Sequence, residues 1–366
     1  MVISNDINVA AQREALPPAT TEQVSVVIPC YNEERFIGKA LHNLADQYDP
    51  ERYEIVIVDG RSEDQTREVI AEFCRSRPEI DVVLIDNPAR SISTALNLGI
   101  DAARGDIIAR LDAHAFASSG YIRRCVEVLK QNDGVMGLPC LVRPGADTPM
   151  ANAIALAVSH PFGIGDAKYR LGQGQAGQQA VDTVAFACFR KKLWREVGGF
   201  SEDLLTNEDY DFNYRVRLAG KPVVLVCDHS EHSDYFARTT LKELFDQYAR
   251  YGRWKAKVVR RHPGSIKWRH LVAPVFAASL PILFAAGFWL RPAWWLLGFE
   301  LAAYLLIAFC VAARLAQKSG EGLSLMLLLP LVFCTIHLTW GSSFLIGLVR
   351  PPAGASQRKI APSPRA

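Results

Sequence analysis

Asp112 and His114 close a short apolar run, Asp106-Ile-Ile-Ala-Arg-Leu-Asp112-Ala-His114, that is too short for a helix. On an extended strand, side chains two positions apart share a face, so a carboxylate and an imidazole at this spacing can grip one divalent cation. The competing reading is a strand end that turns polar where it meets solvent. Asp59 ends a second apolar run, Glu54 to Val58, and Arg90 follows a third in Asn87-Pro-Ala-Arg90. A diphosphate bound at such an edge needs a protein cation, and Arg90 is the nearest one. Asp59-Gly60 is also ordinary turn chemistry, and Arg90 also fits a solvated loop. Farther on, Glu208 and Asp209 open a stretch with a helical stripe at Phe212, Val216 and Ala219, stopped by Gly220. Acids in a first turn complement the helix dipole, and the functional reading needs one of the two to face the cation.

The elements that must carry these residues alternate between strand and helix. Val24 to Pro29 reads as a strand, Cys30 to Glu34 as a loop, and a helix then runs to about Gln47. Glu54 to Val58 leads to a helix bearing Val69, Ile70 and Phe73, capped by Ser62 and Asp64. Val82 to Ile85 leads to a helix from about Ser93 to Ala103, closed by Gly105, and the Asp112 run is the fourth strand. Four such repeats, with polar residues gathered at strand C-termini, describe an open, mostly parallel α/β sheet that binds its ligand at that edge. Val135 to Val142 and Val181 to Phe189 read as further strands, Leu193 to Val197 as a short helix ended by Gly198-Gly199, and Gly163 to Gln179 as a glycine-rich loop over the site. No G-x-x-x-x-G-K-[ST] is present and no G-x-G-x-x-G opens the first helix, which argues against a P-loop NTPase and a dinucleotide oxidoreductase.

Composition bounds the rest. The 366 residues carry a net charge of only +3, with no basic and aromatic interleaving along a groove, so nucleic acid is not an expected partner. The eight cysteines form no C-x-x-C pair and sit in apolar runs, as small buried hydrophobes in a reducing compartment do. Residues 1–23 are polar and lack an apolar signal-peptide core, and read as a disordered arm.

The motifs Val26-Val-Ile-Pro-Cys-Tyr-Asn-Glu-Glu34, Val58-Asp-Gly-Arg-Ser-x-Asp64, Leu111-Asp-Ala-His114, Gly198-Gly-Phe200 and Asn207-Glu-Asp209 occur in the order found in family 2 glycosyltransferases of GT-A fold. With His160-Pro-Phe-Gly-Ile-Gly165 and an apolar tail, the chain most closely resembles the bacterial exopolysaccharide glycosyltransferases of the succinoglycan ExoA type, from about Val24 to Trp254. The resemblance implies a Rossmann-like, mostly parallel sheet flanked by helices, followed by α-helical transmembrane segments. It implies an inverting enzyme that moves one sugar, glucose, from a UDP-linked donor to a sugar on a polyprenyl diphosphate. Pro29, Tyr31, Glu33, Asp59, Arg90, Asn97 and Asp112 would bind the nucleotide-sugar, Asp59 by its base. Asp112 and His114 would hold Mn²⁺ or Mg²⁺, Asp209 would be the general base with Glu208 its alternative, and Gln247, Arg250, Arg253 and Trp254 would face or gate the acceptor. Two departures stand out: the family's D-x-D is Asp112-Ala-His114, where imidazole suits Mn²⁺, and its processive Q-x-x-R-W is only Gln247-Tyr-Ala-Arg250-Tyr251. The alternatives are a processive polysaccharide synthase and a catalytically inactive membrane scaffold that binds nucleotide-sugar.

A catalytic domain is thus expected over residues 24–238, an amphipathic, basic juxtamembrane region over 239–270, a transmembrane region over 271–349, and a basic tail over 350–366. Thr239 to His262 reads either as a helix on an anionic membrane surface or as one packed on the catalytic domain. Leu271 to Leu290, Trp294 to Ala313 and Leu323 to Val349 can each cross about 30 Å of hydrocarbon, with tryptophans near their ends. Basic residues from Lys255 to Arg269 place the preceding domain on the cytosolic side of the inner membrane. Three crossings would leave the basic tail outside, so the Pro330 segment is expected to be re-entrant or interfacial. A chain ending near His262 is expected to keep its donor and metal binding.

Overall fold

The computed structural model describes residues 23–45, 47, 53–171, 177–227, 232–319 and 322–353. The arm 1–22, part of the glycine-rich stretch and most of the basic tail lie outside the described residues.

Two apolar runs, β1 (Val24–Cys30) and β2 (Tyr53–Asp59), form the buried centre of the sheet, which is why they read as near-continuous hydrophobes. They are followed by α1 (Ile37–Ala45) and α2 (Thr66–Ser76), then by β3 (Asp81–Asp86), α3 (Ile92–Ala102) and β4 (Ile107–Arg110). β1 pairs in parallel with both β2 and β4, and β2 with β3. The chain therefore departs in opposite directions on either side of β1, and the carboxyl ends of β1, β2 and β4 border the crevice where ligands of such sheets bind. Pro29 lies beyond the last β1–β4 pair, Val27 with Arg110, where its missing N–H breaks no ladder bond.

The second half departs from the simple repeat. β4 runs through a turn into β5 (Ala115–Ala117), and α4 (Tyr121–Leu129) follows only then. Asp112 and His114 therefore sit in that turn, closed by the Ala115 amide donating to the Asp112 carbonyl at 2.9 Å, so strand alternation does not set their directions. The expected strand from Val135 to Val142 is two short strands in different sheets, β6 (Val135–Gly137) and β7 (Cys140–Arg143). Next come α5 (Pro149–Ala157), α6 (Pro161–Ile164), α7 (Lys168–Leu171) and β8 (Gly177–Ala180), so the described part of the glycine-rich stretch is largely regular. Of Val181 to Phe189, only the end is strand, in β9 (Cys188–Arg190), because Phe186 turns the chain with a positive φ. α8 (Lys191–Val197) ends at left-handed Gly198, α9 (Glu208–Leu218) follows, and β10 (Val223–Cys227) and β11 (Ser233–Phe236) complete two sheets. The larger has the order β3-β2-β1-β4-β9-β6-β10-β8, and the smaller β5-β11-β7. Separate apolar cores cover the two faces of the larger sheet, and all eight cysteines are free thiols.

α10 (Leu241–Arg261) starts at Thr240, whose hydroxyl accepts from the Glu243 amide as a helix cap should. It is not laid on a surface. Trp254 and Val258 pack on Leu204 and Tyr210 of the α/β domain, and the other side lies along α13 (Gly322–Val349). Gly252 and Gly347 make that crossing possible: a Cβ on Gly252 would stand 2.5 Å from the Trp340 carbonyl oxygen, and one on Gly347 2.8 Å from the Ala256 Cβ. The basic residues here have partners in protein acids and carbonyls. Lys257 and Arg261 pair with Asp203, Arg260 donates to the Leu348 carbonyl, Lys267 lies 3.4 Å from Asp182, and Arg269 pairs with Asp166 and Asp182.

α11 (Arg269–Ala286), α12 (Pro292–Ser319) and α13 are each long and apolar enough to cross a membrane. Their surroundings differ: 6% and 11% of the apolar stretches of α11 and α12 are buried within the protein, against 39% for α13. α13 is unbroken at Pro330, so it is not a re-entrant loop. It carries a third core, in which Phe333 and Ile336 meet Ile154 of α5, Leu244 of α10 and Ala308 of α12. α6 docks into the same seam. Phe162 meets the rings of Phe333 and His337 at 4.9 and 5.2 Å, and its carbonyl takes the His337 Nε2 proton at 2.7 Å, which leaves Nδ1 to accept from the Tyr304 hydroxyl. The apolar tail is therefore part of the fold, not a detachable anchor.

Candidate active site

The mouth of the sheet is built by loops that bond each other. After β1, Asn32 takes a positive φ, donates its backbone amide to the Ser62 hydroxyl oxygen at 2.8 Å and accepts the Glu63 amide on its side-chain oxygen at 2.8 Å. The Glu33 amide donates to Thr66 Oγ1 at 2.8 Å, so the loop after β1 is locked to the start of α2. Asp59 is fully enclosed: it accepts from the Ser62 amide and hydroxyl at 3.1 and 2.6 Å and from Arg67 at 2.5 Å. Its contacts shape this mouth. Tyr31 and Arg90 do stand at the opening. Arg90 donates to the Tyr31 hydroxyl at 3.1 Å, lies over its ring at 5.0 Å, and pairs with Glu63 at 2.5 Å, with 44% of its side chain exposed.

Asn97 is not in the opening. Its amide donates to the Phe200 carbonyl and Glu202 at 2.8 and 3.0 Å and accepts from the Phe200 amide and the Trp194 indole at 2.9 and 3.2 Å. Every bonding position of the side chain is used in holding the Gly198-Gly199-Phe200 turn, so it is a structural residue. Arg215 ties that turn to α9 by donating to the Val197 and Gly199 carbonyls. Asn207, in the left-handed conformation, then starts α9 and holds α10 by donating to the Tyr251 carbonyl at 3.3 Å.

These supports bring the acids of α9 to the end of β4. Arg110, buried at that end, donates through Nη2 to Asp112 and Glu208, each at 3.2 Å, and through Nη1 to Asp209. Burial works against its charge, and the carboxylates of Asp112 and Glu208 keep the guanidinium firmly protonated. Sequence reasoning missed Arg110. Its signal was a lone basic residue inside an apolar strand, a place where a charge must have partners. His114 turns the other way, with Nδ1 2.9 Å from Glu33 Oε1. Burial lowers its pKa, but the bond to Glu33 and the charge of Asp112 outweigh this and leave it raised.

Among the described residues, no three His, Cys, Asp or Glu side chains converge as a metal cage. The chemistry of the pair still fits a cation held mainly by a donor's phosphates, which needs only one or two protein ligands. With the His114 Nδ1 proton given to Glu33, Nε2 is the ligating nitrogen, in the carboxylate–histidine arrangement that orients metal ligands. Asp112 keeps one oxygen beyond the one bonded to Arg110.

The expected acceptor-side residues separate. Gln247 is buried and donates to the hydroxyls of Tyr235 and Tyr251, both at 3.0 Å. Trp254 is a packing residue against Leu204 and Tyr210, and Arg250 and Arg253 are exposed.

Residues 25–198 match the family described as glycosyl transferase family 2. A dolichyl N-acetyl-alpha-D-glucosaminyl phosphate 3-beta-D-2,3-diacetamido-2,3-dideoxy-beta-D-glucuronosyltransferase of Methanococcus voltae is 25% identical over 89% of this chain and 97% of its own. The succinoglycan biosynthesis protein ExoA of Rhizobium meliloti is 29% identical over 89% of this chain and 94% of its own. Among solved structures, mannosyltransferase PcManGT of Pyrobaculum calidifontis, in complex with GDP-Man and Mn²⁺, shares the fold with a TM-score of 0.56. It is 18% identical, covering 90% of this chain and 91% of its own.

Proposed function

Starting from a chain that carries a glycosyl transferase family 2 domain and three membrane-length helices, we propose an inverting transferase that moves one sugar, glucose, from a UDP-linked donor to a sugar on a polyprenyl diphosphate. The setting is the cytosolic face of the inner membrane, in the assembly of an exopolysaccharide or other cell-surface glycan. Relatives named for dolichyl-linked and succinoglycan products support the substrate class.

The observation that carries the reading is the Arg110 cluster, which joins Asp112 on the donor side to Glu208 and Asp209 on the acceptor side. Tyr31, Glu33, Pro29 and Arg90 border the donor crevice, with Arg90 offering its guanidinium to the diphosphate. Asp112 and His114 are the residues that would hold Mn²⁺ or Mg²⁺, which when bound offsets the negative charge gathering on the leaving diphosphate. Asp209, at the first turn of α9, takes the proton of the attacking hydroxyl, and Arg110 holds the carboxylate in place until then. Glu208 is 5% exposed and lies behind it, which favours Asp209 over Glu208 as the base. Attack opposite the leaving group inverts the anomeric centre.

Transfer of labelled sugar from UDP-glucose to membrane lipid tests the reading. Asp209→Asn is expected to lower kcat by about 10²–10⁴-fold while nucleotide-sugar affinity stays constant. Equal loss of donor binding would make Asp209 a donor-site residue instead.

A further inference from the structure

One arginine is not used by the transfer chemistry above. Arg170 of α7 is half-buried and rests over the ring of Tyr235 at 5.2 Å. Its Nε is shielded from solvent and meets no hydrogen-bond acceptor among the described residues. The groups that act most strongly on its charge are tyrosines, Tyr235, Tyr248 and Tyr251 among them. A buried guanidinium N–H without a partner is costly, and an anion admitted beside it would relieve that cost.

The surroundings supply further donors. Gln247 gives one amide hydrogen to the Tyr235 hydroxyl and the other to the Tyr251 hydroxyl, each at 3.0 Å. Both phenol oxygens are thus occupied as acceptors, and each hydroxyl keeps its own hydrogen to donate. The group also has a definite place relative to the reaction. Tyr235 pairs across the smaller sheet with Ala115, next to His114, and the Tyr251 carbonyl is held by Asn207, two residues before Asp209.

We propose that Arg170, with the Tyr235 and Tyr251 hydroxyls set by Gln247, is an acceptor subsite that binds an oxyanion of the acceptor. The inference rests on the transferase reading for the word acceptor. The oxyanion is either the diphosphate that links the acceptor sugar to its lipid or a carboxylate on that sugar, and both suit an arginine fork backed by two hydroxyls.

The test uses the full chain in phosphatidylcholine nanodiscs with EDTA, so that metal-assisted phosphate binding at Asp112 and His114 is silent. Inorganic pyrophosphate and sodium glucuronate are titrated by calorimetry into the wild type and Arg170→Gln. The expected result is binding of one anion that weakens about tenfold to a hundredfold in Arg170→Gln, the loss of one charge-assisted partner. Pyrophosphate as that anion identifies the linking diphosphate, and glucuronate the sugar carboxylate. No binding of either, or equal binding by both proteins, overturns the proposal. If Arg170→Gln does not fold, Arg170→Lys decides: weakened binding of the same anion supports the subsite, and unchanged binding overturns it. Neither arm needs donor or turnover. Failure of the transferase reading shows as absent transfer with anion binding intact, whereas failure of this inference shows as unaltered anion binding in an active enzyme.

Discussion

Asp112 and Asp209 share one guanidinium: Arg110 reaches the first through Nη2 at 3.2 Å and the second through Nη1. The two acids come from different ends of the domain, one after β4 and the other in the first turn of α9. A lysine cannot span them. Arg110→Lys is therefore expected to keep most of the stability and lose at least about tenfold in kcat, because one ammonium lacks the fork that holds both carboxylates. Arg110→Gln leaves buried Glu208 and its two part-exposed neighbours without a counter-charge and should cost up to about 3 kcal/mol of stability. Thermal unfolding and labelled-sugar transfer measure both. Wild-type values for the glutamine variant would remove Arg110 from the site.

On the cation, Asp112→Ala should abolish Mn²⁺ binding followed by electron paramagnetic resonance in the presence of UDP. His114→Asp should retain binding and shift the preference toward Mg²⁺, since oxygen replaces nitrogen. Glu33→Gln should weaken Mn²⁺ about tenfold to a hundredfold by releasing the His114 ring. Transfer undiminished in excess EDTA would end the metal reading.

Lys255 gives a pH-dependent outcome. It is buried in α10 with Nζ 2.8 Å from the centre of the Tyr210 ring. Burial pushes its pKa well down, Asp182 resists, and Arg269, Arg217 and Lys267 push further. The unfolded chain therefore holds this proton to a higher pH than the folded one does, and folding gains stability as pH rises toward the usual lysine value. Lys255→Met is expected to raise the unfolding temperature near pH 7, by an amount that shrinks as pH approaches 10. An advantage independent of pH would assign the effect to packing.

Removal of everything after His262 should not yield a soluble donor-binding domain. Phe333, Ile336 and Phe344 of α13 cover α5 and α10, and each such side chain contributes about 1.5–3 kcal/mol when enclosed. The truncated chain is expected to aggregate unless detergent is present. A monomeric, detergent-free product in size-exclusion chromatography would show that the seam is dispensable.

The first three βα units were legible because strand and helix periodicities alternate cleanly there, and the sheet edge followed from them. What was not legible depended on partners distant in sequence. Asp59 and Asn97 have the residue types of ligand contacts, yet their bonds close onto Ser62, Arg67, Phe200 and Trp194. Asp112 and His114 are near each other for a reason other than strand alternation, namely a turn. The ion pairs of the basic run from Lys255 to Arg269 were hidden in the sequence because their acids, Asp166, Asp182 and Asp203, lie far upstream.

Gly252 and Gly347 are the points at which one added carbon would be felt far away. A Cβ at either would press on the facing helix, on the Trp340 carbonyl oxygen from Gly252 and on Ala256 from Gly347. α10 could yield only by moving Trp254 and Val258 against Leu204 and Tyr210. Tyr210 belongs to the first turn of α9, so the spacing of two helices in the apolar tail is transmitted to the acids that face Arg110.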